Sequence, residues 1–272
     1  MISTNYTKLD FTPILLNDLT SSEKVAITYL YHAKENFKEK IQIGRRKMSN
    51  IVNCCESTMT NIFNHLKENY SLEAIRQHGK EGKRIINEYK INDTYIDLSA
   101  DDEKLITKIG CNTNFMMDYG LLFNYEYFGQ VSPTDKVVLM ALHSLKPEKY
   151  QRTKSQGLRC SVKVSIKDLQ HLTKLSKETI RKSIRTLNRV GVVTTKSHKD
   201  KHNYCCRNEY FLESLQSWLN KRKKEVQQAR EKQRAELEQV IETHCSDVSF
   251  AEDNTYNIFQ NMEYEDDSGG NN

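Results

Sequence analysis

One pattern of hydrophobic and polar positions occurs twice along this chain. In residues 165–193 apolar side chains recur at helical spacing in two short runs with a polar break between them, and residues 47–66 carry the same pattern 121 positions earlier. The matching apolar pairs are Met48 with Leu169, Ile51 with Leu172, Cys54 with Leu175, Met59 with Ile180, Phe63 with Ile184 and Leu66 with Leu187. Each copy therefore predicts a short helix, a tight turn and a second helix, which is the helix-turn-helix motif.

The segment before the second copy predicts a further helix and a strand. Residues 134–145 place apolar side chains on one helical face, and Ser132 followed by Pro133 is typical of a helix start. Residues 159–164 then alternate as a short strand does. We count the helix at 134–145 as helix one, so that the two helices of the motif become helices two and three.

The segment after helix three predicts a β-hairpin. Ser176 is expected to cap the start of helix three, and Gly191 to end it, because glycine adopts the left-handed conformation without steric cost. Residues 192–195 predict a strand, 196–203 are polar and basic, and 204–211 predict the returning strand. A basic hairpin directly after helix three is the wing of a winged helix.

The first copy has the same surroundings. Residues 20–34 match helix one at an offset of 112, so nine residues are inserted between helices one and two of the second copy. Residues 72–77 and 84–91 predict a hairpin in the position of the wing. The segments that lead into each helix one also match, with Leu9 and Phe11 corresponding to Leu121 and Phe123. We expect each lead-in to pack on its own repeat.

The predicted fold class is mainly α with small β wings (α+β), built from two tandem winged helix-turn-helix domains, a long C-terminal helix and a disordered acidic tail. Trp218 is expected to dock the start of the C-terminal helix on the second domain, with Lys221 to Lys224 exposed to solvent. A coiled-coil dimer through this helix remains open, because its apolar stripe is interrupted. The predicted boundaries are 1–95 for the first winged-helix domain, 96–118 for a linker with one short helix, 119–212 for the second winged-helix domain, 213–245 for the charged helix and 246–272 for the tail.

Charge points to a polyanionic partner. The chain has 272 residues and a formal net charge of +5, but residues 246–272 carry seven acidic residues and no basic ones. Residues 1–245 therefore hold 41 Lys and Arg against 29 Asp and Glu, a formal charge of +12. The seven cysteines include two adjacent pairs, which predicts reduced thiols rather than a disulfide framework. We read no secretory or membrane-spanning segment and expect a cytoplasmic protein without a membrane partner.

The exposed faces of the two third helices predict how the chain binds double-stranded DNA. The face is basic in the second copy and polar in the first, with Ser57, Thr60, Asn61, Asn64 and His65. Since Asn pairs with adenine and Arg with guanine, the first copy would favour A·T-containing sites and the second G-containing sites, although the same side chains also bind phosphate. The predicted DNA-binding residues are Arg45, Arg46, Lys47, Ser57, Thr60, Asn61, Asn64, Lys80, Lys83, Lys177, Arg181, Lys182, Arg185, Lys196, Lys199 and Lys201.

Catalytic and metal chemistry are not expected. The four closely spaced residues His198, His202, Cys205 and Cys206 have some metal-ligand character. Adjacent residues on a strand point to opposite faces, however, so the two cysteines do not suit one tetrahedral site. No nucleophile elbow, complete phosphate loop or paired-histidine zinc helix is present in the sequence. We therefore predict no metal, no cofactor and no enzymatic activity.

One run of residues carries a resemblance to a known family. It consists of Leu172, Leu175, Ser176, Thr179, Ile180, Ile184, Leu187, Gly191, Val192 and Val193, with Ser176 one residue after Leu175 where the family pattern has three. In this run the chain resembles the winged-helix replication initiators and replisome organisers of bacterial plasmids and phages. The resemblance covers residues 119–212 well and 6–95 loosely.

The resemblance implies sequence-specific binding of duplex DNA and initiation of replication at an origin, with the chain itself or replication proteins as further partners. Two departures matter: the repeat is in tandem, and no globular C-terminal domain is evident. The second departure keeps a transcriptional regulator with tandem winged helices, such as a repressor, as the first alternative. A winged-helix module for protein assembly is the second, because a fold does not fix function.

Overall fold

The computed structural model describes residues 6–37, 41–70, 72–76, 87–91, 98–123, 131–147, 149–152, 158–199 and 205–262. It divides into two compact units, residues 1–219 and 220–272. The described helices are α1 Thr12–Leu15, α2 Ser21–Phe37, α3 Arg45–Val52, α4 Glu56–Asn69, α5 Ala100–Ile109, α6 Tyr119–Phe123, α7 Pro133–Ser144, α8 Ile166–Thr173, α9 Lys177–Val190 and α10 Leu215–Met262. The described strands are β1 Tyr6–Asp10, β2 Ile41–Gln42, β3 Leu72–Arg76, β4 Asn87–Ile91, β5 Asn114–Asp118, β6 Lys149–Arg152, β7 Leu158–Val164, β8 Val193–Lys199 and β9 Cys205–Glu213.

The two copies of the sequence pattern fold into the same order of elements. The first runs α2, β2, α3, α4, β3, β4, and the second runs α7, β7, α8, α9, β8, β9. Each ends in an antiparallel hairpin, and β2 or β7 adds to that hairpin to give the sheet orders β2-β4-β3 and β6-β7-β9-β8. The chain is thus mainly helical with small antiparallel sheets, as the α+β prediction requires. The extra strand β6 follows α7, where the second copy has its inserted residues.

The predicted start of helix one and both predicted ends of helix three in the second copy are confirmed. The Ser132 side chain accepts a hydrogen bond from the Asp135 amide, and the Ser176 side chain accepts one from the Thr179 amide at 3.1 Å. Gly191 follows α9 with a φ of 86°, in the left-handed region that favours glycine. These caps satisfy amide and carbonyl groups that have no partner inside the helix.

The segment that leads into the first helix one pairs with a strand of the predicted linker. Strand β1 runs antiparallel to β5, from Tyr6 opposite Asp118 to Asp10 opposite Asn114. Phe11 packs edge-on against Phe115, with ring centroids 6.2 Å apart. The lead-in of the second copy contacts the other repeat, because the ring of Phe123 packs edge-on against Tyr29 of α2 with centroids 5.1 Å apart. The expectation that each lead-in packs on its own repeat was therefore incomplete. The predicted linker, residues 96–118, contains β5 as well as the expected helix, α5.

Two buried lysines tie the repeats together reciprocally. Lys24 and Lys136 hold equivalent places in α2 and α7, 112 positions apart. The ammonium group of Lys24 donates to the carbonyl of Thr173 at the end of α8, at 3.0 Å, and that of Lys136 donates to the carbonyl of Ile51 in the last turn of α3. These carbonyls lie at the negative end of a helix. Each repeat therefore supplies a cation to a helix end of the other.

The turn between helices two and three has the same backbone conformation in both repeats. Asn53 and Lys174 are 121 positions apart, and their φ values are 67° and 59°, although neither is glycine. The Asn53 side chain donates to the carbonyl of Val131 at 2.9 Å, and Lys174 forms an ion pair with Asp102 of α5 at 2.9 Å. The strained turns are thus held by contacts to other elements.

The start of α10 docks as predicted, but the helix ends later than expected. Trp218 is buried, and its indole N–H donates to the carbonyl of Val190 at 2.9 Å. Residues 246–262 continue the helix, which corrects the prediction that the tail from 246 onward is disordered. The reason is that no Gly or Pro interrupts residues 214–262. Residues 263–272 lie outside the described part. No helix in that part is long and apolar enough to cross a membrane.

Candidate nucleic-acid interface

Helix α9 presents a basic face opposite its buried face. The side chains of Ile180, Ile184 and Leu187 are buried, and they fix which way the helix is turned. The opposite face is exposed and carries five cations, namely Lys177, Arg181, Lys182, Arg185 and Arg189. The four of these that we predicted as DNA-binding residues are thus brought together on one surface, which can neutralise phosphates or reach base edges.

An acidic residue on this face had no part in our sequence reasoning. Glu178 lies 3.1 Å from the Arg185 guanidinium and 3.9 Å from that of Arg181. All three side chains are more than half exposed, so these ion pairs are weak and readily exchanged for phosphate contacts. The spacings of three and seven residues along a helix are the sequence feature that could have revealed them.

The hairpin of β8 and β9, which follows α9, adds one exposed lysine to the basic surface. Lys196 lies exposed on β8, and the side chain of Thr195 on the same strand hydrogen-bonds to Asn188 in the last turn of α9 at 3.0 Å. The strand is therefore held next to the basic helix. Lys199 belongs to β8, but its side chain lies outside the described residues, as do Lys201 and the first-repeat residues Lys80 and Lys83.

In the first repeat the basic residues lie at the start of helix two. Arg45, Arg46 and Lys47 form the exposed first turn of α3, which has no acidic residue and no side-chain cap at Gly44. Cations next to the positive end of a helix repel it, and a bound anion such as phosphate relieves that repulsion. The equivalent helix α8 instead begins with a capping box of Ser165 and Asp168. The two repeats therefore carry their basic surfaces on different helices.

The exposed face of α4 is polar. Ser57, Asn61 and Asn64 are exposed as predicted, while Thr60 is half-buried and its hydroxyl donates to the Glu56 carbonyl at 3.0 Å. His65, which we also expected on this face, is half-buried with its Nδ1 2.7 Å from a Glu23 carboxylate oxygen. The packing of α4 against α2 explains this difference, because Glu23 belongs to the first turn of α2.

A cysteine that the sequence reasoning did not single out caps α4. The sulfur of Cys55 accepts a hydrogen bond from the Thr58 amide at 3.4 Å and lies 3.0 Å from the Ser57 hydroxyl. These side-chain and backbone hydrogen bonds stabilise the thiolate and lower the pKa of Cys55 to about 7. A partly ionised thiol thus lies at the exposed start of α4, the third helix of the first repeat.

Comparisons with known proteins do not place the chain in a family. No family profile matches it, and no curated protein matches it. Among solved structures it is similar to the crystal structure of Pi initiator protein in complex with iteron DNA, with a TM-score of 0.43 and 9% sequence identity, over 79% of this chain and 99% of that chain. A similarity at this level identifies neither the fold nor the function.

Metal ligands are not grouped in the described part of the chain. No three His, Cys, Asp or Glu residues there are arranged to hold a metal ion. The side chains of His198, His202, Cys205 and Cys206, which we considered from their spacing, lie outside the described residues.

Proposed function

We propose that this chain is a sequence-specific double-stranded DNA-binding protein with two winged helix-turn-helix repeats. The observation that carries the proposal is the exposed basic face of α9, which follows a helix-turn and precedes a hairpin with another exposed lysine. The recurrence of the same element order in the first repeat supports it, because one protein then offers two third helices to one duplex.

In the proposed mechanism each third helix enters the major groove. Helix α9 offers Arg and Lys side chains that suit guanine edges and phosphates, and α4 offers Asn61 and Asn64, which suit adenine. Arg45, Arg46 and Lys47 would bind phosphates beside the first repeat. The two repeats would span adjacent major-groove segments on one side of the duplex.

The favoured biological role is initiation of replication on a plasmid or phage, and the sequence resemblance of residues 119–212 supports it. Transcriptional repression is the second candidate, since the same fold binds promoters. The DNA site distinguishes them, because an initiator protects a repeated array beside an A·T-rich stretch, whereas a repressor protects a promoter.

Charge reversal tests the assignment of α9. The double variant Arg181→Glu, Lys182→Glu should weaken binding to duplex DNA on the order of a hundredfold or more, since two charge-assisted contacts are lost and two repulsions are added. The measurement is fluorescence anisotropy with labelled duplex at constant salt.

A matched control changes the net charge equally elsewhere. Lys104→Glu with Lys108→Glu alters two exposed residues of α5, and this variant should keep most of the affinity. Equal losses in the two variants would show that net charge alone attracts the DNA. Wild-type affinity in the α9 variant would favour a protein-interaction role.

A further inference from the structure

A cavity lies beside the second repeat, lined by residues from β5 and the loop before it, α6, the end of α7 and the loop after it, β7, β9 and the residue before α10. Its volume is about 340 Å³, within the size range of small-molecule sites. Most of the wall is apolar, with Phe115, Leu121, Leu145 and Leu212 contributing. None of the predicted DNA-binding residues lines it.

Two side chains that line the cavity keep a buried polar atom without a partner. Asp118 is only 2% exposed, and its carboxyl group accepts backbone hydrogen bonds from Gly120, at 3.1 Å to Oδ1, and from Leu215. Its Oδ2 has no partner among the described residues. The Nε2 atom of His143 is also buried and unpartnered. Buried polar atoms are almost always hydrogen-bonded, so these two indicate that a polar ligand group belongs in the cavity. The carboxyl oxygen of Asp118 calls for a donor, and Nε2 of His143 accepts from one in the tautomer that carries its proton on Nδ1.

The charged groups around the cavity indicate whether the ligand's donor group is cationic, neutral or part of an anion. Asp118 and Glu213 contribute carboxyl groups, and no Lys or Arg is among the described residues that line the cavity. Burial raises the pKa of Asp118, and a cation beside its carboxyl group would oppose that shift by favouring the ionised form. Burial lowers the pKa of His143 to about 4, so its imidazole is neutral near pH 7 and adds no positive charge. An anionic ligand would meet two acidic groups without a cation to offset them.

We propose that this cavity binds a small organic cation, a primary amine on an aromatic or aliphatic body. The ammonium group has three donors and no acceptor, which suits the free oxygen of Asp118 and the neutral His143. The body packs against Phe115 and Leu212. This site is separate from the proposed DNA-binding function and does not depend on it.

One residue of the cavity wall is hydrogen-bonded through its backbone to the chain's single tryptophan. Ser214, which lines the cavity, immediately precedes α10, and its carbonyl accepts the backbone hydrogen bond of Trp218 at 3.0 Å. The Gly120 backbone lies so close to Leu215 that a Cβ on it would meet the leucine Cδ2 at 2.5 Å. Occupation of the cavity should therefore change the fluorescence of Trp218.

The test uses the full chain without DNA and three probes with the same body. Phenethylamine, phenethyl alcohol and phenylacetate are titrated separately, followed by calorimetry and by Trp218 fluorescence. The amine should bind best and the acid worst. Failure of all three to bind at concentrations up to about 10 mM would overturn the proposal, as would equal affinities for the amine and the alcohol.

Three variants, one at Asp118 and a matched pair at Met116, locate the binding in this cavity. Asp118→Asn keeps an acceptor for the Gly120 amide and should lower the affinity for the amine about tenfold, with little change for the alcohol. Met116 lines the cavity and is 56% exposed, so substitution there is tolerated. Met116→Arg should weaken amine binding through repulsion, whereas Met116→Gln should not. Unchanged amine affinity in both Asp118→Asn and Met116→Arg would overturn the site.

Discussion

Residues at helix ends set the chemistry of the surfaces that we assign to DNA. Gly191 and Ser176 fix both ends of α9 and were predictable, because these residue types favour those positions. Cys55 caps α4 in the same way, yet cysteine is not a usual cap and the sequence alone did not reveal it. The environment of Cys55 leads to a prediction about its reactivity.

We expect Cys55 to be the most reactive thiol among the described cysteines near neutral pH. Its pKa is lowered to about 7, whereas burial raises the pKa of Cys54, and raises those of Cys111 and Cys160 to about 11. Alkylation by iodoacetamide should show a fast phase whose rate is half-maximal near pH 7. Mass spectrometry of the modified peptide identifies the site.

Cys55→Ser provides the control for this experiment. Serine also caps helices, so the variant should unfold at nearly the wild-type temperature, and the part of the fast phase that was assigned to the Cys55 peptide should disappear. A Cys55 peptide that is modified no faster than the peptides of Cys111 and Cys160, or whose rate is half-maximal near pH 9, would contradict the hydrogen-bonded thiolate.

At the scale of elements, the two repeats hold each other through groups that sequence patterns do not pair. The motif helices, both hairpins and the docking of Trp218 followed from periodicity and turn residues. The pairing of β1 with β5 did not, because strand partners far apart in sequence leave no local pattern. The hydrogen bonds of Lys24 and Lys136 to the other repeat could not be predicted from the sequence either, because a lysine in a helix is normally solvated.

These two lysines predict a pH dependence of stability. Burial lowers the pKa of each from 10.5 to about 8 in the folded protein. Between these two values the unfolded chain binds more protons than the folded one, so this contribution to the free energy of unfolding rises with pH. Urea unfolding of the wild type and of a Lys24→Met, Lys136→Met variant, at about pH 7.5 and about pH 9.5, measures it.

The wild type should gain stability relative to the methionine variant as the pH rises. The single variants should each show about half of the difference, because the two lysines contact different helix ends. Parallel pH dependence of the wild type and the double variant would show that the lysines keep their ordinary pKa values in the folded protein.

At the scale of the whole molecule, the first unit carries both repeats and the proposed DNA surfaces. The helical part of the second unit, from Asn220 to Ile241, is mostly exposed and includes the basic run Lys221 to Lys224. Composition predicted that helix but not its length, because acidic, polar residues such as those after Ser246 are common in both disordered chains and exposed helices. The cavity beside Asp118 was not predictable, since its walls come from separate elements.

The measurement that tests the central claim most directly is a footprint of the purified full-length protein on its own gene and the flanking DNA. It is run at two salt concentrations with random DNA as competitor. We predict protection of a defined site at both salts, with log affinity falling against log salt at a slope of about −5 if roughly six phosphates are neutralised. Absence of protection at either salt, or binding that random DNA removes completely, would contradict sequence-specific DNA binding.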